Sequence, residues 1–94
     1  MIQRKIEYRI HAVQRMWQRG ITPDAVAEIL ALGEVIEDYP DDYPYPSRLL
    51  LAWVKGRPLH LVVAENTDDA SAIVITVYQP DLLNWQQDYR ERRK

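Results

Sequence analysis

The stretch GRPLHLVVAE, residues 56–65, carries His60, one of the chain's two histidines. Histidine gains and loses protons near neutral pH. Alternate residues of a strand share a face, so His60 turns away from Leu59 and Leu61. The run AIVITVYQ, residues 72–79, is the most β-branched of the chain and reads as a central strand. With Ile73, Ile75 and Val77 turned to the core, Thr76 and Tyr78 join the face of His60. In SRLLLAWV, residues 47–54, Arg48, Leu50 and Ala52 form one alternating set and Leu49, Leu51 and Trp53 the other. The set with Arg48 is assigned to the His60 face. Phosphodiester chemistry could be built from these parts. His60 would act as general acid or base, Arg48 would stabilise developing charge, and Tyr78, beside Thr76, would orient or donate a proton. Attack of an RNA 2′-hydroxyl on its own phosphate needs no more, so neither metal nor cofactor is expected. The structural alternative is a half-buried histidine bonded to a neighbour.

A second constellation lies in HAVQRMWQRGIT, residues 11–22. His11, Arg15 and Arg19 recur every four residues and so form one strip of a helix. Such a strip suits phosphates or an acidic partner. It also suits the ordinary polar face of an amphipathic helix, with Arg15 or Arg19 anchoring Glu37 or Asp38. Arg15 in particular is expected to find an acidic or carbonyl acceptor. YPDDYPYP, residues 39–46, exposes Tyr43 and Tyr45 as rigid contact surface, unless the rings pack on their own prolines. Two distant histidines with Asp41 and Asp42 do not make a recognisable metal site.

The elements that position these groups follow from periodicity. Ile10, Ala12, Val13, Met16 and Trp17 occupy half a helical wheel within residues 9–19, and Gly20 can stop that helix. Thr22 caps a second helix, with Pro23 at its first position, Asp24 at its positive end and Gly33 closing it. Val26, Ile29 and Leu30 are its apolar face. Strands follow at 34–39, 47–54, 58–65 and 72–79. Prolines 40, 44 and 46 keep the first connection out of any ladder, and KGR makes a short hairpin. Pro80 and Asp81 open a C-terminal helix striped by Leu82, Trp85 and Tyr89, with Asp88 and Arg92 as an i,i+4 pair. The expected fold is α+β: a two-helix hairpin packed on a four-stranded antiparallel sheet, plus that C-terminal helix.

Ninety-four residues make one domain, 1–94. The absence of cysteine excludes a thiol nucleophile and any Cys-ligated metal. The start lacks the apolar core of a secretory signal, and no run approaches a membrane span. A cytoplasmic protein without membrane association is therefore expected. Charge is uneven. Residues 1–19 hold five basic residues against one acid, residues 20–79 three against ten, and residues 80–94 four against three. Chain ends brought together would form a basic patch on an acidic body. The net charge of -2 counts against a nucleic-acid partner, because such proteins are usually more basic.

HAVQRMWQRGITPDAVAEILALGEVIEDYPDD, GRPLHLVVAE and IVITVYQPD together resemble a family of small bacterial proteins described as domain of unknown function 4258. The resemblance runs from about residue 10 to 81, and its motif positions here are His11, Arg15, His60, Thr76 and Tyr78. That family in turn looks like the RelE/MqsR-type toxins of bacterial toxin–antitoxin pairs. The resemblance implies a metal-independent messenger-RNA endonuclease with two helices followed by an antiparallel sheet. It also implies RNA and a cognate antitoxin protein as partners. The alternative is a non-catalytic protein-interaction module with a degenerate toxin-like fold.

Overall fold

The computed structural model describes residues 5–94. The elements are β1 (Ile6–Tyr8), α1 (Ile10–Arg19), α2 (Pro23–Leu32), β2 (Glu34–Tyr39), β3 (Ser47–Val54), β4 (Arg57–Asn66) and β5 (Ser71–Tyr78). Local signals set most of the boundaries. Gly20 adopts φ 64° and stops α1 in the left-handed region that costs glycine nothing. The Thr22 hydroxyl accepts from the Ala25 amide at 3.1 Å and caps α2, with Pro23 in its first turn. Gly33 ends α2 for a different reason: a Cβ there would lie 2.4 Å from the Ile29 carbonyl oxygen. Lys55 and Gly56, both at positive φ, form the two-residue turn between paired Val54 and Arg57.

The sheet is five-stranded and mixed, in the order β1-β5-β4-β3-β2. This corrects the expectation of four antiparallel strands. β1 runs parallel to β5, with Ile6 opposite Ala72 and Tyr8 opposite Val74. A three-residue strand is too short for alternation to announce it. The ladder is extended by the Arg9 amide, which donates to the Val74 carbonyl at 3.0 Å.

The C-terminal helix is the second correction. After β5, Asp81 Oδ1 accepts from the amides of Leu83 and Asn84, both at 2.9 Å. One turn forms, closed by Trp85 N–H to the Asp81 carbonyl. The chain then folds back on itself. Trp85 and Arg92 form an antiparallel bridge, the Arg93 amide donates to the Asn84 carbonyl, and Tyr89 sits at φ 59°. Leu82, Trp85 and Tyr89 have helical spacing, but the rings of Trp85 and Tyr89 meet His60 and Trp53 of the sheet, and Leu82 is exposed. Asp88 and Arg92 do not pair; Arg92 binds Glu37 instead.

The core fills the space between the helices and one sheet face: Ala12 and Met16 of α1, Val26 and Ile29 of α2, and Leu50, Val54, Leu59, Leu61, Val74 and Val77 of the sheet. Only one edge of the apolar half of α1 is used. Ile10, Val13 and Trp17 remain 75%, 52% and 88% exposed. No helix among the described residues is long and apolar enough to cross a membrane.

Candidate functional site

Two irregularities in the sheet decide which residues meet on the face opposite the helices. In β2 the register skips Ile36, so Val35 opposes Leu50 while Glu37 opposes Leu49. A bulge reverses side-chain parity, and this one turns Glu37 and Tyr39 to the far face beside Glu34. In β5 the register skips Ile75, so Thr76 opposes Val62 and Val74 opposes Val63. Val74 and Val77 therefore both reach the helix-side core, and Ile73 crosses over. This corrects the expected grouping of Ile73, Ile75 and Val77. The grouping of His60, Thr76 and Tyr78 on one face stands.

Arg48 is not on that face. It alternates with Leu50, a residue of the helix-side core, while the strand partner of His60 is Leu51. Its guanidinium lies 3.7 Å from Asp38. The assignment failed because β3 is apolar at six of its eight positions, three in each alternating set, so alternation could not tell its faces apart.

His60 is fully buried. The segment after residue 80 does cross its face, as turns rather than a helix. Trp85, 3% exposed, stands edge-on to the imidazole with ring centroids 4.4 Å apart. Both ring nitrogens are bonded: Nδ1 to the Tyr78 hydroxyl at 3.1 Å and Nε2 to the Tyr89 carbonyl at 2.8 Å. A carbonyl can only accept, so Nε2 carries the proton, and the Tyr78 hydroxyl donates to Nδ1. A helix would have used the Tyr89 carbonyl for its own ladder; the left-handed turn at Tyr89 leaves it free for His60. Thr76 is half-buried and makes no side-chain bond to this chain of contacts.

The segment is fastened to β2 by two arginines. Arg92 grips Glu37 through both carboxylate oxygens, at 2.9 and 3.1 Å, and lies 4.6 Å from the centroid of the Trp85 ring. Tyr39 donates to the same carboxylate. Arg90 binds Glu34 at 2.5 Å, and the Tyr89 ring meets Trp53 edge-on. Two of the three tail arginines, Arg90 and Arg92, are thus neutralised by β2, while Arg93 donates to the Leu82 carbonyl; Arg4 lies outside the described residues.

These contacts set the protonation states. Burial pushes the His60 pKa below its ordinary value, opposed by the Tyr89 carbonyl and the Glu37 charge. Burial raises the Tyr78 phenol. The Arg92 hydrogen bond holds Glu37 below the usual carboxylate range. His60 is therefore neutral in the fold. Once unfolded it takes up a proton below about pH 6.5, so stability is fully present above that pH and falls as pH drops toward the folded pKa. Urea midpoints measured on the acid side of neutrality should decline, and His60→Gln should flatten that decline. An unchanged slope in the variant would show that His60 is not buried neutral.

The helix strip divides. His11 is exposed and joins nothing described here. Arg15 and Arg19 line an open groove with Arg57, Tyr78, Gln79 and Asp81. Arg57 carried no signal in the sequence beyond its place at the end of a hairpin. Tyr78 is shared between the groove and His60. Tyr43 is 95% exposed, and Tyr45 reaches Asp68 at 3.3 Å; neither approaches the groove. Among the described residues no three His, Cys, Asp or Glu side chains could hold a metal ion together.

The family model described as Domain of unknown function (DUF4258) matches residues 8–79. No curated protein and no solved structure matches the chain. The match spans α1 through β5 with Arg15, Arg19, Arg57, His60 and Tyr78, and it ends before the segment that covers His60.

Proposed function

From the premise that the chain belongs to the family described as Domain of unknown function (DUF4258), we propose that it is a toxin-like endoribonuclease, working without a metal, whose proton carrier is Tyr78 backed by His60. One observation supports this reading: the Tyr78 side chain borders the open groove while its hydroxyl donates to a buried, neutral imidazole that the Tyr89 carbonyl orients. A group that can lose a proton, a base behind it and an orienting acceptor behind the base are the parts of a relay.

The step balances. An RNA 2′-hydroxyl gives its proton to Tyr78 Oη as the Tyr78 proton passes to His60 Nδ1. The 2′-oxygen bonds to phosphorus, and the 5′-oxygen leaves and takes a proton from water. The products are a 2′,3′-cyclic phosphate and a 5′-hydroxyl. The imidazolium then returns its extra proton through Tyr78 to the hydroxide left behind. Glu37 and the Tyr89 carbonyl both favour the charged imidazole and steady it meanwhile.

Wild-type protein in chelator should cleave single-stranded RNA and, when induced in bacteria, arrest growth. Tyr78→Phe should lose roughly 10²–10⁴-fold in cleavage rate while giving up only about 1 kcal/mol of stability with the lost hydrogen bond. No cleavage by folded wild type, or full activity in Tyr78→Phe, overturns the relay. The second reading, a non-catalytic interaction module, is favoured by one feature: the exposed stripe of Ile10, Val13 and Trp17 on α1, an apolar surface of the kind that marks contact with another protein. An antitoxin-like partner would fit either reading.

A further inference from the structure

We propose that Arg15, Arg19 and Arg57 form a phosphate-binding groove that takes the backbone of single-stranded RNA. Arg15 and Arg19 sit one turn apart on α1, and Arg57 opens β4; all three line the same groove, beside the Tyr78 ring. The other described arginines in ion pairs are spoken for: Arg48 by Asp38, Arg90 by Glu34, Arg92 by Glu37. No ion pair or hydrogen bond engages the guanidinium of Arg15 or Arg19 among the described residues, contrary to the acceptor expected for Arg15. Two unneutralised guanidiniums side by side repel each other unless an anion joins them.

Arg57 is held in place. Its Nε donates to Gln79 Oε1 at 2.8 Å and its Nη2 to the Arg19 carbonyl at 3.0 Å. That fixes the guanidinium plane and leaves its remaining N–H groups to donate into the groove. The only acid on the rim, Asp81, spends its carboxylate on the Leu83 and Asn84 amides and the Asn84 side chain. The groove thus keeps a net positive charge on a chain that is acidic overall. Its volume of about 460 Å³ is large beside a single phosphate, and its open shape suits a strand passing through rather than a small molecule enclosed. Planar guanidinium forks match phosphate oxygens, and an aromatic wall gives a base somewhere to stack.

This inference stands on charge and geometry, and the relay can fail without it. The test is fluorescence anisotropy with a labelled single-stranded oligoribonucleotide whose 2′-hydroxyls are methylated, so that binding is read without cleavage. Wild type should bind, with log K falling as log salt rises by roughly 0.7 per phosphate engaged. Arg15→Gln with Arg19→Gln, two changes that break no internal bond, should weaken binding about tenfold or more and flatten the salt slope; Arg57→Gln should do likewise. Arg48→Gln, at a residue that lines a separate pocket and pairs with Asp38, should leave binding unchanged, and Tyr78→Phe should still bind. Inorganic phosphate alone should compete only weakly if the groove takes a strand; competition as strong as that of the oligonucleotide assigns it to a free phosphate and overturns the backbone reading. Binding that ignores Arg15 and Arg19, no binding at low salt, or an acidic peptide bound as tightly through the same arginines each overturns the proposal. Binding without cleavage leaves the groove standing and removes the nuclease.

Discussion

His60→Ala should lower stability by about 2–4 kcal/mol, a midpoint drop of roughly 10–20 °C for a domain this small. The ring is fully buried. Removing it strands the Tyr89 carbonyl and the Tyr78 hydroxyl without their partner, and each unsatisfied buried group costs about 1–3 kcal/mol. It also opens a cavity under Trp85. Relaxation of the covering turns, which carry no regular ladder, sets the upper bound. Thermal and urea unfolding followed by far-UV circular dichroism measure the loss. His60→Gln can keep one of the two bonds and should lie between the wild type and the alanine variant. A midpoint unchanged in His60→Ala would mean that the histidine is exposed in solution.

That result also bears on function. A buried histidine with both nitrogens engaged cannot itself meet a substrate. If His60 contributes to chemistry, it does so through Tyr78, and the destabilisation must be separated from any loss of activity. Tyr78→Phe makes that separation, because it spares the imidazole and its packing.

Much of the architecture was legible because local rules and tertiary packing agree there. Thr22, Pro23 and the Gly20 turn mark the helix ends directly. Four of the five strands appear within a residue of their expected bounds, since β-branched runs bounded by Gly, Pro and Asn read clearly. What was not legible depends on partners far away in sequence. A three-residue strand has no period. The bulges at Ile36 and Ile75 leave no local trace, yet the first turns Glu37 toward Arg92, and the second moves Val74 into the core and Ile73 out of it. The site was half legible for the same reason. His60, Thr76 and Tyr78 share a face because the irregularity falls at Ile75, before residue 76, and the pairing from Thr76 to Tyr78 is regular. Arg48 was misplaced because both sets of β3 are apolar. Arg57 was passed over because its meaning comes from Arg15 and Arg19, about forty residues earlier. Overall acidity pointed away from an anion ligand, but net charge averages over surfaces that never meet. Ten acids in the middle of the chain coexist with a groove of three arginines, because two carboxylates on β2, Glu34 and Glu37, are taken up by the tail and Asp38 by Arg48.

The tail itself sets up the last expectation. Trp85→Ala should cost about 3 kcal/mol, within the range for removing a buried aromatic, and should undo the covering segment as a unit. Trp85 is the one buried side chain after Pro80, and it holds three things together: the edge contact with His60, the cation contact with Arg92, and the bridge that closes the turns. Without it, the Arg92–Glu37 and Arg90–Glu34 pairs are surface ion pairs on a loose chain, each worth at most about 1 kcal/mol. Release of the segment returns His60 to water. Desolvation is the main cause of its lowered pKa, so its titration, followed by the imidazole proton resonances, should move up toward the ordinary histidine range. The acid-side loss of stability should shrink with it. Glu37, no longer bonded by Arg92, should move up as well. The β1-to-β5 body should keep its circular dichroism, since the core between helices and sheet contains no residue beyond Val77. A variant that loses stability while the His60 titration stays where it was would place the imidazole's shelter in the sheet rather than in the tail.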